Sequence, residues 1–246
     1  APARLMNLKS KVAALSALRV DCTWCLKFSD IRPMSAETFV NQLVAGKRVR
    51  YLVVGDDFRF GCDRQGDFNY LIAAGERSGF TVEQSDTYRV GDERVSSSRI
   101  RDLLKTHDFD GASQLLGRQY ALCGRVCYGQ QLGRKIGFPT ANIALSNSPP
   151  LQGVFGCTVE LPEGQVVTGV ANIGSRPTVS GQKVSLEVHL HEFTGELYGR
   201  TLIVIPRVFI RAEQKFESID ALTAQIQVDN AKALELLSDL TGSETE

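Results

Sequence analysis

The stretch Gly129–Asn142, which reads GQQLGRKIGFPTAN, combines three glycines, two adjacent cations and a polar end within fourteen residues. Glycine backbone can approach a ligand closely, and its N–H groups can hold a phosphate. Arg134 and Lys135 add positive charge. No Gly-Lys-Ser/Thr sequence ends the stretch, so it is not a Walker A loop. The pattern indicates a phosphate-binding loop, although a glycine-rich turn beside a basic patch has the same composition.

Thr140 and Asn142 at the end of this stretch are two residues apart. On an extended segment both side chains point to the same face. A hydroxyl and an amide carbonyl on one face can hold a hydrated Mg²⁺ ion and a phosphate oxygen. We therefore take the two residues as a candidate metal and nucleotide site.

The composition argues against nucleic-acid and membrane partners. Lys plus Arg and Asp plus Glu both number 28, which leaves no global attraction to nucleic acid or to an anionic membrane. No run approaches the roughly 18 apolar residues of a membrane-spanning helix. Charged residues interrupt Ala1–Lys11, so we predict no signal peptide and a cytoplasmic location. The oligomeric state stays open.

The six cysteines do not form a recognisable metal or redox motif. Cys22 and Cys25 have CxxC spacing, and Cys123 and Cys127 are four residues apart. No second CxxC completes a zinc site, and the thioredoxin-like context of a redox dithiol is missing. We expect free thiols in a reducing compartment.

Residues 1–117 have the pattern of an α/β domain with a mostly parallel sheet. Tyr51–Val54 is a short apolar run that ends at a glycine, as a buried parallel strand does, and the next strand is expected at Phe80–Val82. A helix is predicted over Phe68–Ser78 between them. Further helices are predicted from the stripe that starts at Leu8, from a start capped by Ser97 or Ser98, and over Ala112–Leu116.

The pattern changes after Gly117, and residues 118–246 form a second predicted domain. From Tyr120 to Ile210 short β-like segments alternate with Gly, Pro and Asn, which is typical of a small barrel or sandwich. The segment Ile219–Leu240 has apolar residues at helical spacing and predicts a closing amphipathic helix.

Glu187 lies in an alternating strand pattern, Val184–Leu190. The glutamate therefore faces away from the valines and leucines of its strand. By pattern alone such a residue is most often an ordinary solvated glutamate. His189 and His191 share its face, but no third zinc ligand is evident, so we interpret them as neighbours of a site.

Ser97, Ser98, Arg99 and Arg101 stand at a predicted helix start. Hydroxyls, free backbone N–H groups and arginines at a helix N-terminus can bind an anion. A capped helix with exposed arginines would look the same.

Several of these segments together resemble one enzyme family. The sequence GRKIGFPTAN resembles the flavokinase signature of riboflavin kinases, and Gly153–Phe155, Ala171–Thr178, Leu186–Leu190 and Leu197–Gly199 follow in that family's order. Upstream, Gly55–Gly61 and Val95–Arg101 resemble the FMN adenylyltransferase half of the bacterial bifunctional enzymes called FAD synthetases. The resemblance covers essentially the whole chain.

The resemblance implies a fold and an activity. The fold is an α/β nucleotidyltransferase-like domain over residues 1–117, with an incomplete and mostly parallel sheet. A small antiparallel β-barrel riboflavin kinase domain with a C-terminal helix follows over residues 118–246. The activity is ATP-dependent and Mg²⁺-dependent phosphorylation of riboflavin to FMN, with adenylylation of FMN to FAD in the intact protein.

The resemblance also assigns roles to residues. Glu187 matches the family's catalytic glutamate. The remaining assignments are ATP binding by Gly129, Gly133, Arg134, Lys135, Thr140 and Asn142, metal binding by Thr140 and Asn142, flavin binding by Asn172, Arg176 and Arg211, and adenylyltransferase nucleotide binding by Asp57, Phe58, Arg59, Ser97, Ser98, Arg99 and Arg101. A charged linker would explain Arg211, and turn chemistry would explain the loop of Asn172 and Arg176.

One family element is missing from the sequence. Nucleotidyltransferases of this type carry a His-x-Gly-His motif after their first strand, and none of His107, His189 and His191 forms it. We therefore expect the sequence to begin after that strand and adenylylation to require the full-length protein. Two rival hypotheses are a non-catalytic flavin-binding protein and an RNA-binding barrel. The presence of Glu187, Thr140 and Asn142 argues against the first, and zero net charge argues against the second.

Overall fold

The fold is taken from a computed structural model, which describes residues 2–129, 131–178 and 181–242. The chain divides into two compact units. Unit 1 contains the residues up to Ala17 and those from Ser96 onward, and unit 2 is Leu18–Val95. The predicted domains 1–117 and 118–246 follow the sequence pattern and stay a prediction.

The described residues form the following helices and strands. The helices are α1 (Leu8–Ala17), α2 (Phe28–Ile31), α3 (Ala36–Phe39), α4 (Phe68–Ser78), α5 (Ser97–Lys105), α6 (Phe109–Leu116), α7 (Leu132–Lys135) and α8 (Ile219–Gly242). The strands are β1 (Tyr51–Gly55), β2 (Thr81–Ser85), β3 (Arg89–Val90), β4 (Glu93–Arg94), β5 (Leu122–Cys127), β6 (Thr140–Ala144), β7 (Gly153–Glu160), β8 (Val166–Thr178), β9 (Gly181–Leu190) and β10 (Thr201–Arg211).

Unit 2 is built on the parallel pair β1–β2, in which Tyr51 is opposite Thr81. Helix α4 joins the two strands, as the sequence predicted. It begins where the Asp67 side chain accepts a hydrogen bond from the Tyr70 N–H, and it ends at Gly79 in a left-handed conformation. The core of this unit consists of Ala36, Val40, Val44, Val54, Phe60, Leu71, Ala74 and Phe80.

The starts of α5 and α6 differ from the sequence expectation. Ser96 has extended backbone and its side chain accepts a hydrogen bond from the Arg99 N–H, so Ser96 is the cap. The prediction that Ser97 or Ser98 caps this helix was wrong, because both already lie in its first turn. Helix α6 begins at Phe109 rather than Ala112, since the Asp108 carboxylate caps it through the Gly111 N–H.

In unit 1, β5–β10 form a closed antiparallel barrel with the order β10-β5-β6-β9-β8-β7. This architecture, with its C-terminal helix, confirms the predicted kinase-type barrel. The interior is filled by alternate residues of the strands, which are almost completely buried. The largest of them are Phe155, Ile173, Leu186, Leu202, Val159, Val188, Val204 and Cys157.

Helix α8 packs on the outside of the barrel. Its Ala233, which is fully buried, contacts Val154 of β7 and Ile210 of β10, and Val170 of β8 borders the same patch. Because the side chain at position 233 is only a methyl group, the helix can approach the strands closely. The helix thereby covers one outer face of β7, β8 and β10.

Two partly buried histidines make the stability of unit 1 depend on pH. His107 stacks on Phe209 with 3.8 Å between ring centroids, and burial lowers its pKa. Burial also lowers the pKa of His191, whose Nδ1 lies 3.0 Å from the Thr168 hydroxyl. A histidine with a lowered pKa in the folded state binds its proton more readily after unfolding.

We therefore expect the melting temperature to fall as the pH is lowered from 7.5 through the unfolded histidine pKa of about 6.5. The variant that combines His107→Gln with His191→Gln is expected to lose less than the wild type over the same interval. Calorimetric melts at half-unit pH steps measure this slope. Equal slopes in the wild type and the double variant would contradict the assignment.

Candidate active site

Five side chains from five neighbouring strands form one row across the barrel. In the strand register, Asn142 of β6 is opposite Glu187 of β9, and Glu187 is opposite Asn172 of β8. Asn172 is in turn opposite Val154 of β7, and Val154 is opposite Arg211 of β10. All five line one cavity. The register thus gathers residues that are far apart in the sequence.

The row faces outward because its neighbours face inward. Leu186 and Val188 on either side of Glu187 are fully buried in the barrel. The Glu187 side chain therefore points to the opposite, outer face of the strand. That outer face is the one that α8 covers. The cavity therefore lies between the barrel wall and the segment of α8 that carries Leu222 and Ile226. The predicted orientation of Glu187 is confirmed, while its chemical role stays a prediction.

The glycine-rich stretch forms the adjoining edge of the cavity. Within it α7 makes a single helical turn, which the sequence did not predict, and the Gly133 carbonyl accepts hydrogen bonds from the Ile136 and Phe138 N–H groups. A Cβ on Gly129 would overlap the side-chain amide of Asn142. Glycine at position 129 thus lets the loop lie directly against Asn142.

The predicted ATP-binding residues divide between two cavities. Gly133, Thr140 and Asn142 line the first one, and Thr140 also lines a second cavity together with Arg134. Gly129 contacts Asn142 without being part of either lining, and Lys135 is exposed on α7 outside both linings among the described residues.

The second cavity has an aromatic wall. Tyr198 stacks on Tyr128 with 4.1 Å between ring centroids, and its hydroxyl accepts a hydrogen bond of 3.3 Å from the Gln131 side chain. Gln131 and Thr140 line both cavities. The two cavities are therefore adjacent and share these two side chains.

The predicted flavin residues have different surroundings. The Oδ1 atom of Asn172 is buried and has no hydrogen-bond partner among the described residues, so it can accept from a ligand in the cavity. Arg211 forms an ion pair with Asp229 of α8. The backbone of Arg176 pairs with Lys183, and the side chain of Arg176 lies outside the described part of the structure.

His189 and His191 flank this arrangement. His189 is opposite Thr140 in the strand register, and its Nδ1 lies 2.9 Å from the carbonyl oxygen of Pro139, which makes Nδ1 the protonated nitrogen. The described residues contain no group of three His, Cys, Asp or Glu side chains placed to hold a metal ion.

Sequence reasoning missed Asp229. It is almost completely buried, with 3% of its surface exposed, and it lies on α8 among apolar residues. The signal was present in the sequence, because Leu222, Ile226, Asp229, Ala233 and Leu237 follow one another at helical spacing. A carboxylate in an apolar stripe predicts a buried and paired charge.

The first group of predicted adenylyltransferase residues lies in unit 2. Phe58 stacks on Phe60 at 5.6 Å between centroids, and Arg59 is exposed and donates to the carbonyl of Phe58. Asp57 is exposed beside Asp56. A hydrogen bond from Thr87 lowers the pKa of Asp56, which also forms an exposed ion pair with Arg94 at 2.9 Å.

The second group belongs to unit 1. Ser97, Ser98 and Arg99 are exposed in the first turn of α5, and the Nε of Arg101 donates a 2.6 Å hydrogen bond to the carbonyl of Ala3. The role of these residues in nucleotide binding stays a prediction.

The closed barrel has an outer cavity lined by a carboxylate, amides and a hydroxyl, and its sequence places it in a class of protein, the flavokinases. Residues 116–237 match the family model Flavokinase, described as riboflavin kinase. Residues 1–99 match the family model FAD_syn, described as FAD synthetase.

Relatives extend this match over almost the whole chain. The bifunctional riboflavin kinase/FMN adenylyltransferase of Pseudomonas fluorescens is 48% identical over 237 residues, which are 95% of this chain and 76% of that protein. The enzyme of the same name from Escherichia coli K12 is 43% identical over 238 residues, 96% of this chain and 76% of that protein. The chain belongs to the family of bifunctional riboflavin kinase/FMN adenylyltransferases.

A solved structure supports the fold. A Streptococcus pneumoniae protein named a macrolide-efflux protein superposes with a TM-score of 0.74 and 28% identity, covering 92% of this chain and 73% of its own. Separately, none of the described helices combines the length and the apolar character that crossing a bilayer requires.

Gly129→Ala tests the contact between the glycine loop and Asn142. The added methyl group must displace the amide, and a displacement of about 1 Å at a reacting centre can cost roughly a hundredfold in rate. We expect riboflavin kinase turnover to fall at least tenfold with little change in melting temperature, since residue 129 is exposed. Gly55→Ala is the matched control, because its Cβ would make only an ordinary contact with Asp57. A Gly129→Ala enzyme as active as this control would contradict the prediction.

Proposed function

We propose that the described barrel transfers the γ-phosphoryl group of ATP to the ribityl 5′-hydroxyl of riboflavin. One observation carries this proposal: Glu187 stands between Asn142 and Asn172 in a cross-strand row that lines a cavity. A phosphotransferase of this kind needs a positioned nucleotide, a positioned acceptor and a group that takes the hydroxyl proton. The row offers side chains for all three tasks.

In this proposal Glu187 is the general base. The riboflavin 5′-oxygen forms the new bond to the γ-phosphorus while the bond from that phosphorus to the bridging oxygen of ADP breaks. The proton of the hydroxyl moves to the Glu187 carboxylate. The position of Glu187 in the middle of the row supports this role, because each neighbouring strand contributes one amide beside it.

The nucleotide is proposed to bind between the two cavities. Thr140 belongs to both linings, and Arg134 in the second cavity can pair with a phosphate. The Thr140 hydroxyl and the Asn142 carbonyl oxygen are neutral oxygen donors on one strand face, which suits an Mg²⁺ ion that keeps phosphate and water as its other ligands. Such an ion would neutralise charge on the phosphates.

The flavin is proposed to bind in the first cavity. Its wall combines the amide of Asn172 with the apolar side chains of Phe216, Leu222 and Ile226. A planar, largely apolar ring with polar edges needs this combination of surfaces. The buried Oδ1 atom of Asn172 can accept a hydrogen bond from the polar edge of such a ring.

The intact protein is proposed to adenylylate FMN to FAD as well. The names of the relatives and the match of residues 1–99 support this activity. We place both reactions in the cytoplasm, where ATP is made and where the free cysteines of this chain persist as thiols.

The base is tested by Glu187→Gln, which keeps the size of the side chain and removes its basicity. Loss of a general base typically costs about 10²–10⁴ in rate. We expect this fall in FMN formation, followed by chromatography with MgATP and riboflavin, while riboflavin binding and melting temperature change little. Glu160→Gln is the matched control, because Glu160 is the last residue of β7 and does not belong to the row. A Glu187→Gln enzyme within threefold of the wild type would exclude the role.

The nucleotide assignment is tested by Thr140→Ala and Asn142→Ala. Each variant removes one oxygen donor from the face of β6 that lines the cavity. Removal of a hydrogen-bonding partner of a charged group weakens binding by roughly 1.5–3 kcal/mol, or about tenfold to a hundredfold. We expect this loss for MgATP and a smaller one for riboflavin, both measured by titration. Equal losses for the two ligands would point to a general disturbance of the site.

A further inference from the structure

The buried carboxylate of Asp229 is bound on several sides. Both of its oxygens lie 3.0 Å from the Nε of Arg211, and Oδ2 also accepts a 2.8 Å hydrogen bond from an Nη of Arg211. One helical turn earlier, Gln225 donates its amide to Oδ1 at 2.9 Å. Among the described residues, the hydrogen bonds to Asp229 thus come from Arg211 and from its own helix.

The two partners of this ion pair differ in exposure. The side chain of Asp229 is 4% exposed, whereas that of Arg211 is 20% exposed, and both line the first cavity. The guanidinium also donates to the carbonyl of Ala212 at 3.0 Å, and its carbon lies 5.6 Å from the centre of the Phe216 ring. Among the described residues these bonds use three of its five N–H groups. Two N–H groups remain for a ligand.

Docking of α8 does not by itself require an ion pair. Ala233 already packs on Val154 and Ile210, and Leu237 is buried on the same helix. Replacing a buried ion pair by well-packed apolar residues is often neutral or even stabilising. A charge in the middle of an apolar helix stripe therefore calls for a second role besides stability.

Free arginine side chains lose much conformational freedom when they bind a ligand, and an arginine that is already held loses less. Resting on the proposed function, we propose that Asp229, supported by Gln225, is a positioning residue that holds Arg211 in the orientation in which it binds the flavin. Phe216, between β10 and α8, lines the same cavity and lies next to the guanidinium of Arg211. Asp229 acts through Arg211.

Asp229→Asn keeps the shape of the side chain and removes its charge. We expect the riboflavin dissociation constant, measured by quenching of flavin fluorescence, to rise about tenfold or more, as for a weakened charge-assisted hydrogen bond. The KM for ATP is expected to stay within threefold. Asp239→Asn, an exposed change of the same type on the same helix, is the control and is expected to match the wild type. Asp229→Glu is expected to recover part of the affinity.

A double variant separates positioning from stability. Arg211→Met combined with Asp229→Val replaces the ion pair by apolar side chains of roughly similar volume. We expect this variant to melt near the wild-type temperature and yet to bind riboflavin as weakly as Arg211→Met alone. If the double variant binds riboflavin like the wild type, the ion pair is only structural and the inference is overturned. Equal loss of affinity for riboflavin and ATP in Asp229→Asn would overturn it too.

Failure of the proposed function would look different. In that case the wild-type chain itself would neither bind riboflavin nor form FMN. Normal binding by the wild type together with normal binding by Asp229→Asn would refute the inference alone and leave the proposed function intact.

Discussion

The proposed active site depends on the antiparallel register of the barrel. Asn142, Glu187 and Asn172 are neighbours only because β6, β9 and β8 are hydrogen-bonded in one particular alignment. Side chains alternate between the two faces of a strand, so a slip by a single residue would turn Glu187 into the barrel and bring Leu186 or Val188 to the cavity. The cost of burying a carboxylate and exposing large apolar residues makes this slip very unfavourable. The apolar interior thereby fixes the position of the polar row on the outer face.

The same principle explains how the cavity obtains its second wall. The outer face of β7, β8 and β10 presents Val154, a member of the row, together with Val170, and the small Ala233 lets α8 approach them closely. Apolar contact brings the helix to the barrel, and the pair of Arg211 and Asp229 determines how the guanidinium is presented there. Packing thus places the wall, and a directional interaction orients its charge.

Much of this could be predicted from the sequence. The alternation of apolar and polar residues around Glu187 correctly predicted the strand face on which Glu187 lies. Helix α4 has the predicted bounds because Asp67 and Gly79 are unambiguous signals for its start and end. The class of barrel, the C-terminal helix and the family also agree with the prediction. These features depend on local pattern or on motifs, both of which are visible in a single sequence.

The errors arose where a local pattern had several solutions. Ser96, Ser97 and Ser98 are chemically equivalent caps, and the backbone at Ser96 decides among them. The turn α7 lies in a glycine-rich stretch, where composition gives no helical signal. Asp229 was overlooked because its partner Arg211 belongs to another element, and no local rule connects the two.

The polar row joins residues of the central and the C-terminal parts of the barrel. Asn142 lies on the second strand of the barrel along the chain, and Arg211 lies at the end of the last strand. No short segment of the chain therefore contains the site. Arg211 joins the row when β10 pairs with β7, and the pairing of β10 with β5 closes the barrel. Formation of such long-range pairs comes at a cost in chain entropy that local contacts cannot offset. The arrangement of Asn142, Glu187 and Arg211 therefore depends on the pairing of five strands, from β6 through β9, β8 and β7 to β10.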